Sequence, residues 1–327
     1  MSRIAAKTEG LKSPGIQRSR ASAWIVLTML LMVAVPAGIT LHTVHAKPLQ
    51  PNTDPRATPH GYTWSLLLFI VPIIAIGGWL LPNERLSIPK RAFWRTISIL
   101  APLGCALDFF FASKFFTFPN KGAVIGIQAP ALGGSVPVEE YAFYLSGFVA
   151  VLLIYVWLNE FWLVAYSVSD YKAEAKSVNR LLAFHPWSLG AAAVLIAAAG
   201  LYKRHSSYPL GFPGYLTILV LGGLTPSVSF FPTVRRFINW RAVSLTLFII
   251  LLISMFWEAT LAAPYGWWGY QPDQMMGLFI GAWSGLPIEA VTVWIAVTYA
   301  TTIVFEVVKI WQASERELKH ALLGGTQ

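Results

Sequence analysis

The chain of 327 residues is 56% hydrophobic and only 12% charged, with a mean hydropathy of +0.58. Soluble domains carry about 25% charged residues, so the composition excludes an ordinary soluble protein and predicts an integral membrane protein. The net charge of +9 does not indicate nucleic-acid binding, because no basic stripe interleaved with aromatic residues accompanies it.

Basic residues without apolar periodicity occupy positions 1–22, which predicts a solvated cytoplasmic tail. Eight later runs are apolar over about the 17–25 residues that a membrane-spanning helix requires. These runs cover residues 23–41, 62–81, 92–113, 136–164, 186–202, 212–231, 242–264 and 287–311. We therefore predict an all-α, polytopic membrane protein with about eight transmembrane helices. The first run exceeds the roughly 7–15 residues of a signal-peptide core, so we expect it to be retained.

The positions of the basic residues predict the orientation of these helices. With the N-terminus inside, the external connections hold 6 of the 24 Lys and Arg residues: Lys47, Arg56, Lys114, Lys121, Lys203 and Arg204. The other basic residues lie on segments that this topology places inside. Cytoplasmic segments carry an excess of Lys and Arg, so we expect both termini in the cytoplasm and the chain in the cytoplasmic membrane.

A shift of 150 residues aligns the two halves of the chain. It places Pro59 on Pro209, Gly61 on Gly211, Pro82 on Pro232, Arg85 on Arg235, Pro137 on Pro287 and Glu139 on Glu289. We therefore predict two tandem four-helix repeats, 23–165 and 186–312, with a polar cytoplasmic linker at 166–185 and a cytoplasmic tail at 313–327. Since each repeat holds an even number of helices, both have the same orientation and their acidic sites face one side.

Five carboxylates in or beside apolar runs form the candidate catalytic site: Asp108, Glu139, Glu140, Glu258 and Glu289. Asp108 and Glu258 each precede the proline of a Pro-x-Glu helix start by 29 residues (108 to 137 and 258 to 287). Carboxylates inside a membrane are costly to bury and mark functional sites. A Glu at a helix start also caps free backbone donors, but capping does not explain the acids on the preceding spans. Two close carboxyl groups share a proton, which suits acid catalysis on an alkene.

Aromatic residues surround both acidic motifs. Five are candidates for contacting substrate or stabilising a cation: Phe116, Tyr141, Trp257, Trp268 and Tyr270. Two interpretations stay open, because Trp and Tyr concentrate at membrane–water interfaces and aromatic faces also stabilise cations. The connections 114–136 and 265–286 are longer than tight turns, and we expect them to cover the acids.

Segments in both halves carry a recognisable family pattern. In the second half they are Trp257-Glu258, Trp268-Gly269-Tyr270-Gln271-Pro272 and Leu286-Pro287-Ile288-Glu289. In the first half they are Asp108, Phe116-Thr117-Phe118-Pro119 and Pro137-Val138-Glu139-Glu140-Tyr141. Together they resemble the membrane-integral lycopene cyclases of carotenoid biosynthesis, which occur as two small subunits or as one fused chain. The resemblance covers roughly residues 60–165 and 210–312.

This resemblance implies a non-redox isomerisation by an intramolecular lyase. A carboxylic acid protonates the end group of an acyclic carotenoid, the cation closes a cyclohexene ring, and a base removes a proton. Glu139 and Glu289 inherit the acid and base roles, with Asp108 and Glu258 as their partners. Ala290 stands where the family often has a second Glu, so we expect the first half to be the catalytic centre.

The resemblance also implies what the protein binds. It implies no cofactor and no metal, and its substrate is a hydrophobic carotenoid within the bilayer. Membrane lipids, other enzymes of carotenoid biosynthesis and a second copy of the chain are candidate partners, whereas nucleic acid is not.

Two other function classes stay open. One is a different isoprenoid-modifying enzyme, such as a prenyltransferase, although the chain lacks the Asp-x-x-Asp motif that holds magnesium with a diphosphate. The other is a non-catalytic carotenoid-binding or transport protein. Outside the candidate site, we expect Glu160 and Glu306 to be solvated at helix ends and Lys309 to extend to the membrane surface.

Overall fold

The fold is a bundle of long apolar helices. The computed structural model describes residues 50–83 and 88–325 and part of the segment 24–39. Seven helices of 20–26 residues in this part of the chain, π turns included, are long and apolar enough to cross a membrane. The chain is therefore a polytopic, all-α membrane protein.

The helices are numbered in chain order, with two short ones beside the seven long ones. They are α1 (Gly61–Leu80), α2 (Lys90–Phe115), α3 (Val138–Trp157), the short α4 (Tyr171–Lys176), α5 (Pro186–His205), α6 (Gly214–Val234), α7 (Trp240–Trp257), α8 (Glu289–Ser314) and the short α9 (Leu318–Leu323). A π turn extends α3 over Leu158–Trp162, and another extends α7 over Glu258–Ala262.

Seven of the eight predicted apolar runs are confirmed as helices, and with the π turns included their ends lie within three residues of the predicted ones. The first run, 23–41, lies largely outside the described residues, although those described between Trp24 and Ile39 are helical. The predicted tail at 1–22 lies entirely outside them. The prediction of an eighth helix therefore stays a prediction.

Helix α8 is the centre of the bundle and packs against α2, α3, α6 and α7. Of its most apolar stretch, 56% is buried within the protein, against 17% for the outer helix α1. The outer helix exposes large apolar side chains such as Trp64, Leu68 and Ile74. A soluble protein rarely exposes so continuous an apolar surface, and lipid tails cover such a surface in a membrane.

The end of the bundle that carries the segment 166–185, here the linker end, contains a buried polar network. Glu306 is fully buried, and its two carboxylate oxygens accept hydrogen bonds from the hydroxyls of Tyr155 and Tyr171, both at 2.8 Å. Lys309 forms a mostly buried ion pair with Glu160 at 2.5 Å. The expectation of solvated side chains was wrong, because α4 folds back onto α8 and supplies a hydrogen-bond donor. Burial and the neighbouring Glu306 raise the pKa of Tyr171 well above its usual range.

The opposite end, here the loop end, holds three short antiparallel strand pairs that the all-α prediction did not include. They are β1 (Phe116–Thr117) with β4 (Gly269–Tyr270), β2 (Gln128–Ala131) with β3 (Gly134–Pro137), and β5 (Phe279–Ile280) with β6 (Leu286–Pro287). Gly133 makes the two-residue turn between β2 and β3 with a φ of +91°, which glycine adopts without strain. The β1–β4 pair joins the loops of the two halves.

Candidate functional site

Two glutamates at helix starts hold the loops of the loop end. Glu139, in the first turn of α3, accepts hydrogen bonds through Oε1 from the backbone N–H of Ile125 at 2.8 Å and from the hydroxyl of Thr63. Glu289, the first residue of α8, accepts through Oε1 from the backbone N–H of Met276 at 2.5 Å. The second oxygen of each carboxylate is buried without a hydrogen-bond partner. Both residues therefore fix the loop that precedes their helix.

The other three predicted acids form a separate group, here called the acid cluster: Asp108, Glu140 and Glu258. Their exposed fractions are 4%, 4% and 2%. Glu140 on α3 lies within electrostatic range of Asp108 on α2 and of Glu258 in the π turn after α7. The bundle thus gathers acids from both halves of the chain around Glu140.

Two tyrosines orient the acid cluster. The Tyr62 hydroxyl donates to Glu140 Oε2 at 3.0 Å, and the Tyr270 hydroxyl donates to Glu258 Oε2 at 2.7 Å. Burial, together with the charge of Glu258, raises the pKa of Tyr270 well above its usual range, so its hydroxyl keeps its proton and remains a donor. Asp108 Oδ2 is buried without any hydrogen-bond partner. Asp108 Oδ2 is therefore a buried carboxylate oxygen that is free to face a substrate.

The structure favours a grouping of the acids that differs from the predicted pairing. Asp108 and Glu258 each lie within electrostatic range of Glu140, whereas Glu139 and Glu289 bond to loop N–H groups. Consecutive residues of an α-helix point about 100° apart, so Glu139 faces the loop while Glu140 faces the bundle. The sequence spacing indicated that acids of neighbouring helices come together, but it did not resolve which neighbour of the Glu-Glu pair turns inward.

A lysine lies near Glu289. Lys203 is buried in the last turn of α5, although the sequence placed it in an external loop. Its Nζ donates to the carbonyl oxygen of Pro272 at 2.7 Å, and it interacts electrostatically with Glu289 and Asp273. Among the described residues, the groups that interact with the acid cluster are acids and aromatic side chains instead. Glu289 therefore lies in a different charge environment from the acid cluster.

Aromatic rings wall the acid cluster on the side of α1 and α7. The ring centroids of Tyr62 and Trp268 lie 4.9 Å apart, those of Trp257 and Trp268 4.8 Å, and those of Phe143 and Trp257 5.5 Å. The indole Nε1 of Trp294 faces Glu258 without a hydrogen bond of ordinary geometry. The predicted Trp257 and Trp268 are thus part of this wall.

The strand pair β1–β4 adds the other predicted aromatic residues. Phe116 and Tyr270 pack edge to face with centroids 5.6 Å apart. Tyr141 differs, because its hydroxyl donates to the carbonyl oxygen of Pro130 in β2 at 2.7 Å and so holds the hairpin. All five predicted aromatic residues therefore lie around the acid cluster, since Tyr141 is also within electrostatic range of Asp108 while its hydroxyl holds the hairpin.

Sequence reasoning missed Tyr62, Tyr215 and Lys203. Tyr215 lies beside Tyr144, with hydroxyl oxygens 3.4 Å apart, and both are within electrostatic range of Glu140 and Asp108. One signal for Tyr62 exists in the repeat. At the shift of 150, Tyr62 aligns with Phe212 just as Glu140 aligns with Ala290, so both partners of the hydrogen bond are absent together from the second half.

The remaining geometry concerns metals and cavities. Within the described ranges, no three His, Cys, Asp or Glu side chains are grouped so that they could hold a metal ion. A cavity of about 160 Å³ lies between the segment 24–39 and helices α7 and α8, lined mainly by apolar side chains such as Leu30, Leu247 and Ile295. Its lining does not include the acid cluster.

Comparison with protein-family models, with curated proteins and with solved structures finds no match to this chain.

Proposed function

We propose that the chain is a carotenoid cyclase of the lycopene type, an isomerase that closes a cyclohexene ring at the end of an acyclic carotenoid. The observation that carries the proposal is the acid cluster of Asp108, Glu140 and Glu258, buried within membrane-spanning helices and walled by aromatic rings. Buried acids in a membrane are costly and need a function. The resemblance of the surrounding motifs to the membrane-integral cyclases supplies the substrate class.

Asp108 and Glu140 act as the proton source in this proposal. Two buried carboxyl groups within electrostatic range do not both ionise cheaply, so the pair shares a proton. Asp108, whose Oδ2 is free of hydrogen bonds, donates this proton to the terminal carbon–carbon double bond of the end group. A C–H bond forms, the π bond breaks and a tertiary carbocation results.

Ring closure and proton return complete the reaction. The neighbouring double bond attacks the cation, which forms the ring C–C bond and leaves a new cation within the ring. A carboxylate of the acid cluster then takes a proton from an adjacent carbon, and the electron pair of that C–H bond forms the ring double bond. One proton enters and one leaves, so the product is an isomer of the substrate and no redox cofactor is required.

The aromatic walls of the site stabilise the carbocation in this proposal. The faces of Trp257, Trp268 and Phe143 stabilise positive charge electrostatically, and a site closed to water prevents water from capturing the cation. Tyr62 and Tyr270 hold their carboxylates by hydrogen bonds of 3.0 and 2.7 Å. Fixed carboxylates determine which proton leaves, and hence which ring isomer forms.

The proposal includes two tandem four-helix repeats, an eighth helix at 23–41, cytoplasmic termini and a carotenoid substrate that enters from the bilayer of the cytoplasmic membrane. The loop end supports the repeat. The N–H of Val138 donates to the carbonyl of Ile127 at 3.0 Å, and the N–H of Ile288 donates to the carbonyl of Leu278 at 2.9 Å. Both halves thus start their last helix from the same hairpin arrangement.

Expression in cells that accumulate lycopene tests the function. We expect the lycopene to be replaced by a carotenoid of the same mass with a shifted absorption spectrum. A prenyltransferase would instead increase the mass of the pigment, and a binding protein would co-purify with unchanged lycopene. Unchanged pigment in cells whose membranes contain the protein would contradict the proposal.

A further inference from the structure

A second cavity lies at the linker end, far from the acid cluster. It has a volume of about 380 Å³ and lies between the linker and the end of α6, lined by Ser177, Val178, Asn179, Arg180, Ala183, Pro232, Thr233, Arg235 and Arg236. Ligand pockets in proteins usually measure about 300–1,000 Å³. The proposed cyclisation makes no use of this cavity.

The lining of this cavity is basic. It includes three arginine residues, Arg180, Arg235 and Arg236, and no acidic residue. Arg236 forms an ion pair with Glu174 at 3.5 Å, in which both side chains are about half exposed and the interaction is weak. Within the described part of the chain, the guanidinium groups of Arg180 and Arg235 have no ion-pair partner. The cavity therefore offers uncompensated positive charge to an anion.

Backbone hydrogen bonds build the wall of the cavity. Pro232 has no N–H, so it leaves the carbonyl of Val228 in α6 without its helical donor. The N–H of His185 donates to that carbonyl at 2.7 Å, and the N–H of Ala183 donates to the carbonyl of Ser229 at 2.8 Å. These bonds hold the linker along the end of α6, so the position of Arg180 relative to Arg235 is fixed by the fold.

The cavity opens where the membrane surface is expected. Phe184 and Trp187, next to the wall in sequence, are 69% and 79% exposed. Exposed aromatic residues at the ends of membrane helices lie at the level of the lipid headgroups. Basic pockets between helices at this level bind phosphate-bearing headgroups.

We propose that this cavity binds a phosphate group, held by the guanidinium groups of Arg180 and Arg235. The planar fork of Arg donates two parallel N–H bonds to oxygens of a phosphate, and the polar residue Asn179 also lines the cavity. The adjacent exposed aromatic residues favour the headgroup of an anionic phospholipid over free phosphate as its source. The proposal is independent of the cyclase activity.

Lipid selectivity of the full-length protein tests the site. The protein is reconstituted into phosphatidylcholine vesicles with spin-labelled phosphatidylglycerol or spin-labelled phosphatidylcholine, and the motionally restricted fraction of each label is measured. We expect a several-fold preference for phosphatidylglycerol that weakens with added salt. The double variant Arg180→Gln/Arg235→Gln should lose most of that preference with unchanged helix content by circular dichroism.

The matched control is Lys90→Gln/Arg91→Gln, which removes two exposed positive charges at the same end of the bundle but outside the cavity. It should keep the preference. A second arm measures the melting temperature with inorganic phosphate against chloride at equal ionic strength. One outcome assigns the site to free phosphate: phosphate raises the melting temperature of the parent protein but not of the cavity variant, and neither protein prefers phosphatidylglycerol. The proposal is overturned if the parent, the cavity variant and the control variant show the same lipid selectivity and phosphate stabilises none of them. It is also overturned if the control variant loses the lipid preference as fully as the cavity variant does.

Discussion

The two halves of the molecule start their last long helix in the same way, but the charges beside the two helix starts differ. In both, a glutamate at the start of a long helix accepts a hydrogen bond from a loop N–H, from Ile125 to Glu139 and from Met276 to Glu289. In the first half the next residue is Glu140, which lies in the acid cluster. In the second half it is Ala290, and the buried Lys203 lies near Glu289.

This difference separates the residues that hold the loops from the residues that are proposed to react. Residues that match at the shift of 150, such as Glu139 and Glu289, hold the loops. Positions that differ between the halves, Glu140 against Ala290 and Tyr62 against Phe212, carry the hydrogen bond at the acid cluster. The matching positions therefore locate the site, and the departure at Glu140 marks the acid around which the matched pair Asp108 and Glu258 gathers.

The largest expected effect is at Asp108. Asp108→Asn removes the free carboxyl oxygen that donates the proton, and general acid catalysis contributes about 10²–10⁴-fold to a rate. We expect cyclisation in lycopene-accumulating cells to fall by about this factor. Asp273→Asn, an exposed acid at the same end of the bundle, is the control and should leave pigment conversion intact. If the Asp108 variant converted as much lycopene as the parent protein, Asp108 would not be the proton donor.

A smaller effect is expected at Tyr62. Tyr62→Phe keeps the ring packed on Trp268 but deletes the hydrogen bond to Glu140, and a hydrogen bond to a charged group contributes about 1.5–3 kcal/mol. We expect conversion to fall by about tenfold or more, with a changed ratio of ring isomers. The control is Tyr265→Phe, which alters a neighbouring ring that stacks on Trp267. The same loss in both variants would indicate a packing effect instead.

At Lys203, in the second half, we expect an effect on stability and not on the chemistry. Lys203→Met removes the donor to the carbonyl of Pro272, and an unsatisfied buried group costs about 1–3 kcal/mol of stability. We expect a lower melting temperature in detergent with pigment conversion retained by the protein that folds. Arg204→Met, at the next and exposed position, should leave the melting temperature unchanged. Loss of conversion at full stability would place Lys203 in the chemistry.

The smallest effect is expected at Glu289. Glu289→Gln keeps an amide oxygen that accepts from Met276, so the loop remains held and conversion should stay close to that of the parent protein. Glu289→Ala leaves that N–H without its acceptor and should lower the melting temperature. If Glu289→Gln abolished conversion in stable protein, the second half would contain a catalytic acid of its own.

Much of the bundle follows from the sequence, because membrane spans are set by length and hydropathy. Seven predicted runs are helices in the structure, and Asp108 lies within electrostatic range of Glu140 at the start of the following long helix. The orientation of Glu139 and Glu140 was not predictable, since it depends on where the loop residue Ile125 presents its N–H. The burial of Lys203 and of Glu306 depends on partners distant in sequence, Pro272 and Tyr171. Hydropathy contains no information about such contacts.

The most direct test compares Glu139→Gln with Glu140→Gln in lycopene-accumulating cells, with the amount of each protein in the membrane matched. Glutamine at 139 still accepts the hydrogen bonds from Ile125 and Thr63, whereas glutamine at 140 cannot share a proton with Asp108. We predict conversion close to that of the parent protein for Glu139→Gln and none detectable for Glu140→Gln. Loss of conversion in Glu139→Gln with full activity in Glu140→Gln would contradict the assignment of the chemistry to the acid cluster.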